Sequence, residues 1–371
     1  MTTTLDNELD HQDLEAGIGA FVERIVMATI GAFELATVDL GMRLGLYAAV
    51  AEGSCTPPEL ARRAGIDPRY AREWLEQQAT AGFLTVEAEA LDGDPDGRWF
   101  GLPIAHRAGL LDPDSLACVA PLARFAVAGP AIVPQLLDVY RTGGGISFGG
   151  YGDDIRDAQA AANRPQFTNL LASEWLPAMP DVVARLREPG ARVADVACGC
   201  GWSSIAIARG FEGVTVDGFD LDDPSIADAR TNARGATVDG RVHFDVRDAA
   251  DAVPGAYDLV CCFEALHDMA HPVAALQAMR KMTAPGGAVL VVDERAADAL
   301  TPADPDPIQR LLYSASVLHC LPVGRSQDGS AATGTVMRTA TLERYAAAAG
   351  FDSVEVLPIE HDMFRFYRLR A

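Results

Sequence analysis

The chain has 371 residues, enough for two domains, and is 49% hydrophobic and 22% charged, an ordinary globular composition. Its formal charge of −22 repels phosphate backbones, which argues against nucleic acid as substrate or partner and for a neutral or cationic small molecule or another protein chain. The seven cysteines include no C-x-x-C pair, so neither a disulfide framework nor a metal site is expected, and reduced thiols in a cytoplasm follow.

Residues 1–14 are polar and acidic, without the basic start and apolar run of a signal peptide. Apolar residues at three-to-four spacing predict two helices over 18–51. Thr56-Pro57-Pro58-Glu59 is a capping box with proline in the first turn, so a short helix over 57–64 follows and Gly65 ends it. Asp67-Pro68 starts the next helix, to about residue 81. Residues 82–86 turn into a strand, 93–97 form a hairpin turn and 98–100 return. Helix, turn, helix and hairpin together make a winged-helix pattern, and 1–102 is read as that domain.

Residues 103–190 read as a mainly helical linker, broken by glycines at 143–145 and 149–152 that form a lid candidate. Within it, 116–139 is nearly all apolar. A membrane span is one reading, but Arg124, Pro121, Pro130 and Pro134 favour a buried interdomain or dimer helix.

From residue 192 strands alternate with helices. Strands are predicted at 193–197, 215–219, 242–246, 257–263 and 288–292, with helices at 203–209, 224–234 and 273–282. Such alternation implies an α/β fold, a parallel sheet covered on both faces. The end differs: 353–359 and 363–369 are two strands around Glu360-His361-Asp362, an antiparallel hairpin closing the sheet.

The loop Asp195-Val196-Ala197-Cys198-Gly199-Cys200-Gly201 follows the first of these strands and opens a helix. Small residues there let a ligand approach the backbone and the helix N-terminus offers free N–H groups. Asp220 ends the next strand, where a carboxylate accepts from both hydroxyls of a ribose, and Asp248 ends the third, where it meets an adenine edge. Alone, the loop equally fits a dinucleotide. However, Ser204 replaces the third glycine of that fingerprint, and Asp195 suits the cationic amino group of a methionine tail where it would repel a pyrophosphate.

On these residues, 192–371 resembles the class I S-adenosylmethionine (SAM) dependent methyltransferases. The matches are the Asp195 loop, Asp220, Val246-Arg247-Asp248-Ala249, Tyr257-Asp258-Leu259-Val260 and Ala284-Pro285-Gly286-Gly287, with Ala197 departing from a usual glycine. A winged helix ahead of such a domain, with a segment like Leu266-His267-Asp268-Met269, is similar to plant-type and actinobacterial small-molecule O-methyltransferases. The resemblance implies a Rossmann-like seven-stranded sheet over 191–371, SAM as cofactor with S-adenosylhomocysteine as product, no metal, a small-molecule acceptor, and a cytoplasmic homodimer. In it, 1–102 would dimerise and 103–190 would roof the substrate pocket. It places cofactor contacts at Asp195, Ala197, Gly199, Gly201, Asp220, Leu221, Asp248, Ala249 and Phe263.

Methyl transfer to a hydroxyl requires alignment and removal of its proton. The family's base falls on His267, at the carboxyl edge of the sheet and with an ordinary pKa near 6.5 that suits the task. Asp293 or Glu294 is the family position for the carboxylate that orients it, and strand alternation lets only one face the pocket. A second family glutamate usually follows an Arg-Thr pair, but Arg338-Thr339 is followed by Ala340. Asp268 could substitute, or the methyl could go to nitrogen or carbon. Tyr151, Phe167, Trp175, Met179, Tyr313 and His319 lie where this family builds its substrate pocket, although each also suits a core position. The competing class is a SAM-sensing regulator using its winged helix on DNA. Arg62, Arg63, Arg69 and Arg72 favour it, while Glu59, Glu73, Glu76 and the total charge oppose it. A SAM-binding fold without methylation is a third possibility.

Overall fold

A computed structural model describes residues 11–91, 93–251, 256–300 and 306–370. Most of the acidic N-terminal stretch, 1–14, therefore lies outside the described residues. The chain divides into two compact units, one of Met1–Leu111 with Leu122–Val127, the other of Asp112–Pro121 with Ala128–Ala371.

In the first unit α1 (His11–Arg43) and α2 (Leu46–Ala51) meet at Gly45, whose left-handed φ of 68° lets the chain turn. The capping box starts α3 (Pro57–Ala64), with Thr56 N–H donating to Glu59 Oε2 at 2.9 Å. Asp67 caps α4 (Pro68–Thr80) by accepting from Arg69 N–H at 2.8 Å. Strands β1 (Thr85–Ala88) and β2 (Trp99–Gly101) pair antiparallel, and α5 (Ile104–Leu110) follows. Leu60, Leu75 and Phe100 form the core with Tyr47 and Trp74, whose rings meet edge-on at 5.0 Å.

The apolar stretch 116–139 is not one buried helix. It forms α6 (Ala120–Ala131) and α7 (Val133–Thr142), broken at Ile132, with Leu122 and Leu137 exposed. Proline removes a backbone donor and crowds the preceding turn, so Pro130 and Pro134 account for the break. Arg124 pairs with Asp39 at 3.5 Å inside the first unit.

The second unit continues with α8 (Asp153–Gln166), which runs into a π-helical turn, Phe167–Trp175, and then α9 (Pro180–Leu186). The alternating region holds β3 (Arg192–Val196), α10 (Trp202–Gly210), β4 (Thr215–Asp220), α11 (Asp223–Gly235) and β5 (Val242–Val246). Next come β6 (Tyr257–Phe263), α12 (Pro272–Met282), β7 (Thr283–Glu294), α13 (Pro307–Ala315), α14 (Leu321–Gly324) and α15 (Thr339–Ala349). Strands β8 (Ser353–Val356) and β9 (Phe364–Arg370) end it. The seven strands lie in the order β5-β4-β3-β6-β7-β9-β8, all parallel except β9, which runs antiparallel to both its neighbours. This is the α/β sheet with a closing hairpin that the alternation predicts, although the hairpin strands are shorter at 356 and 364 than the sequence pattern.

Side chains on successive strand residues point to opposite faces, and the two cores follow that period. Val193, Leu259, Cys261 and Leu290 pack on one face with Ile205 of α10; Ala194, Val260, Cys262 and Val291 pack on the other with Leu276 of α12. A strand buried on both faces must be apolar throughout, hence the continuous Val-Cys-Cys-Phe run in β6. The strand order reverses between β3 and β6, and a ligand crevice opens at the carboxyl ends there. The register pairs Val196 with Cys262, so the loop after β3 and the turn after β6 leave the sheet side by side.

Candidate cofactor and catalytic site

A cavity of about 470 Å³ occupies that crevice. Ala197, Gly199, Asp220, Leu221, Asp248, Ala249, Phe263 and Asp268 all line it, and so does Phe167. The loop backbone is left-handed at Ala197 (φ 58°), Gly199 (φ 51°) and Gly201 (φ 79°). Gly201 is held by packing as well, since a Cβ there would fall 2.6 Å from the Phe244 ring. It belongs to the turn and not to the cavity wall.

Asp220 closes the loop. Its Oδ2 accepts from Gly199 N–H at 2.8 Å and its Oδ1 from Asp222 N–H at 2.9 Å. Each oxygen has spent one lone pair on the backbone and keeps another for a hydroxyl donor. Burial raises the Asp220 pKa above the usual carboxylate value. Asp248 accepts from Ala250 N–H at 2.8 Å, which fixes its carboxylate after β5.

Asp195 is a correction. It is fully buried and off the cavity wall, and its Oδ2 accepts from the hydroxyls of Ser203 and Ser204, both at 2.6 Å. It does not line the cavity where a methionine tail was expected to meet it; it ties β3 to the first turn of α10. Burial pushes its pKa up to about 6 in spite of those hydroxyls.

His267 sits in a 3₁₀ turn, Leu266–Asp268, 2% exposed. Its Nδ1 is 2.7 Å from Asp293 Oδ1 and 2.9 Å from Glu294 Oε2. Strand alternation was expected to send only one of these acids inward, yet both converge on one nitrogen. The period of two holds within a strand, and Glu294 is the last residue of β7, free to curl back. A single N–H serves one acceptor well, and the hydrogen bond goes to Asp293. Burial pushes Glu294 up to about 8, reinforced by the Asp293 charge. Burial acts on Asp293 in the same sense, but His267 holds it below the usual range. For His267 burial opposes the charge, and Glu294 and Asp293 outweigh it, so its pKa lies well above the ordinary histidine value.

Asp268 lines the cavity beside this buried group, and burial carries its pKa up to about 7. Cys320 is 8% exposed and its thiol meets His267. Among the described residues, His267 with Asp268 and Cys320, or with Asp293 and Glu294, come close enough to hold an ion. The second set is already closed by its own hydrogen bond.

The aromatic candidates separate. Trp175 and Met179 belong to the sheet core, with Trp175 edge-on to Phe366 at 5.0 Å, and this corrects their expected place in a pocket. Tyr151 and His319 pack together at 4.6 Å, and the Tyr151 hydroxyl donates to Leu318 O at 2.8 Å. Tyr313 accepts from Arg338 at 3.4 Å. None of these five is on the cavity wall.

Sequence reasoning missed Asn163, Arg156 and Glu264, all of which line the cavity. Arg156 bridges Asp153 and Asp222, each at 2.8 Å, and so steadies the turn after β4. Its signal was an arginine three residues from Asp153 on one helix face, which has many bland readings. Glu264 carried a clearer one, an acid directly after the apolar run 259–263 of β6.

The wall carries the carboxylates Asp220, Asp222, Asp248, Glu264 and Asp268 against the guanidinium groups of Arg156 and Arg247. That balance fits a ligand with hydroxyl donors and a positive charge, as SAM has, and disfavours a pyrophosphate. Residues 187–319 match the family described as "Methyltransferase domain". With the sheet order and this cavity, that segment is a SAM-dependent methyltransferase domain. The ubiquinone biosynthesis O-methyltransferase of Xanthomonas campestris pv. campestris (strain B100) is 38% identical over 112 residues, covering 30% of this chain and 46% of that protein. The chain thus spans about half the length of the curated relatives it matches. An O-methyltransferase family protein from Burkholderia thailandensis has the same fold, with a TM-score of 0.69 at 20% identity over 94% of this chain and 97% of that one. Human N-acetylserotonin methyltransferase in complex with SAM superposes with a TM-score of 0.64 at 16% identity, over 98% and 99% of the two chains.

Proposed function

We propose that the chain methylates a hydroxyl of a small, natural-product-like acceptor, with His267 as general base. The observation that carries this reading is the buried His267–Asp293 pair beside the cavity at the strand-order switch point. SAM, when bound, supplies the methyl group as a sulfonium. Asp220 takes the ribose hydroxyls and Asp248 the adenine edge, with Leu221, Ala249 and Phe263 packing on the rings. Asp293 accepts a hydrogen bond from Nδ1–H, which leaves Nε2 to receive the proton of the acceptor hydroxyl, and the Asp293 charge stabilises the imidazolium that forms. The positive charge of the cofactor offsets the carboxylates around His267 and lowers its proton affinity toward the range a base needs.

The experiment is calorimetry with SAM and S-adenosylhomocysteine, followed by labelled methyl transfer to a panel of phenols in wild type and His267→Ala. Binding without transfer to any hydroxyl, but with transfer to amines, would replace O- by N-methylation. That second reading is favoured by Ala340, which stands where the family carries a further glutamate, and by the high proton affinity of His267.

The same reading makes the molecule a cytoplasmic homodimer with 1–102 as its dimerisation part, 103–190 as pocket roof and 191–371 as catalytic domain. Helix α1 is long and apolar enough to cross a membrane, yet its exposed Phe21 (64%) and Phe33 (70%) equally suit a second copy of the helix. Sedimentation should give a dimer, and protein in the membrane fraction would overturn this. DNA binding is disfavoured because Arg63 donates to Ala49 O and Gly53 O and Arg72 pairs with Asp96, which engages two of the four arginines inside the unit.

A further inference from the structure

Glu264 is a cavity acid without a role so far, and Asp195, buried against Ser203 and Ser204, leaves the cofactor's ammonium group without its expected partner. Glu264 follows β6 directly. Because Val196 pairs with Cys262, the turn that carries Glu264 leaves the sheet beside Ala197 and Gly199, and all three line one cavity. Its backbone is left-handed, φ 52°, a conformation that is strained for a residue with a Cβ. Strain of this kind persists where the surroundings hold it, here through Glu264 N–H donating to Val292 O at 2.8 Å, and it gathers at ligand sites.

Asn163 of α8 donates to the carboxylate, and no arginine or lysine among the described residues pairs with it. Of the two arginines on the cavity wall, Arg156 is taken by Asp153 and Asp222. Burial, with Glu294 and Asp293 adding to it and His267 and Asn163 opposing, raises the Glu264 pKa above normal, and a cation seated beside it would favour its charged form.

We propose that Glu264 receives the α-ammonium group of the methionine moiety of the cofactor, the role the loop acid cannot fill. This rests on the SAM-binding reading above, and the test separates the two. The probes are S-adenosylhomocysteine, which carries the ammonium, and methylthioadenosine, which lacks the whole amino-acid tail but keeps adenine, ribose and sulfur. Calorimetry on the full chain should show Glu264→Gln binding S-adenosylhomocysteine about tenfold or more weaker, as for a lost charge-assisted hydrogen bond, with methylthioadenosine unchanged within about twofold. Glu264→Asp keeps the charge and should fall between. The wild type provides a control free of folding effects: the analogue of S-adenosylhomocysteine with a hydroxyl in place of the ammonium should bind about tenfold or more weaker than the parent. Equal losses for both probes in Glu264→Gln, no loss for either, or a wild type indifferent to the ammonium would overturn the proposal. A wild type that binds neither probe would overturn the SAM reading itself.

Discussion

His267 Nδ1 lies 2.7 Å from Asp293 Oδ1, and both side chains are almost wholly out of solvent. The geometry fixes which ring nitrogen carries the proton in the neutral base: Nδ1–H donates to Asp293, so Nε2 is the unprotonated nitrogen, and the Cys320 thiol also meets the ring.

His267→Ala should therefore leave the affinity for S-adenosylhomocysteine nearly unchanged, since Asp220 and Asp248 lie on other strands. Methyl transfer to a hydroxyl should fall by about 10²–10⁴, the usual worth of a general base. In the wild type the rate should rise with pH through one histidine-like step that the variant loses. A variant with nearly full activity would mean that positioning alone suffices.

The two acids beside His267 should differ sharply. Asp293→Asn replaces an acceptor with a group that can donate, favours the wrong tautomer, and should cost about 10² or more in rate. Burial pushes the Glu294 pKa up to about 8, toward the neutral acid that glutamine imitates, so Glu294→Gln should change the rate only a few-fold. Equal losses would show that both acids orient the ring.

Stability should decline between pH 6.5 and 8.5. Asp268 at about 7 and Glu294 at about 8 have folded pKa values raised above those of the unfolded chain. The native state then binds more protons than the unfolded one, and stability present at low pH is lost as pH rises through those values. His267, also raised, acts in the same sense. His319, lowered to about 4 by burial, has the opposite effect, but only below its unfolded pKa near 6.5. Thermal unfolding of the cofactor-free protein across this window is the measurement, and Glu294→Gln should flatten the slope. A midpoint that rises with pH would contradict the assignment.

Asp220→Asn should weaken S-adenosylhomocysteine by about 10- to 100-fold, through lost ribose bonds to a charged acceptor and through loosening of the Gly199 turn it holds. Tight NADH binding with no response to S-adenosylhomocysteine would reverse the choice between the two cofactors.

Ala197→Gly should be neutral to stabilising by up to about 1 kcal/mol, because relief of the left-handed φ of 58° exceeds the added freedom of the unfolded chain. Most alanine-to-glycine changes destabilise, so a loss of stability here would show that the loop is relaxed as it stands.

The alternation of strands and helices after residue 192 was legible because a sheet buried on both faces demands apolar strands, and caps and glycines mark their ends. The placing of Asp220 and Asp248 on the cavity wall was legible because the one ends β4 and the other lies just past β5. What could not be read was which atoms an acid spends locally. Asp195 looks available in sequence, and only the fold brings Ser203 and Ser204 onto it. The convergence of Asp293 and Glu294 needs the curl at the end of β7, and Trp175 reads as a pocket residue until β9 packs Phe366 against it. The break in 116–139 is signalled by its prolines, while its apolar content alone suggests one continuous helix.

The seating of Asp195 has a consequence for how the domain evolves. A strand and a helix locked by two hydroxyls make a rigid anvil, complete before any ligand arrives, and its upkeep depends on interior residues that never touch a substrate. Under the proposed function, substitutions among the cavity residues of α8 would then alter the acceptor side without rebuilding this anchor. Conversely, a change at Ser203 or Ser204, small and silent by chemistry, would unseat the loop for every acceptor at once.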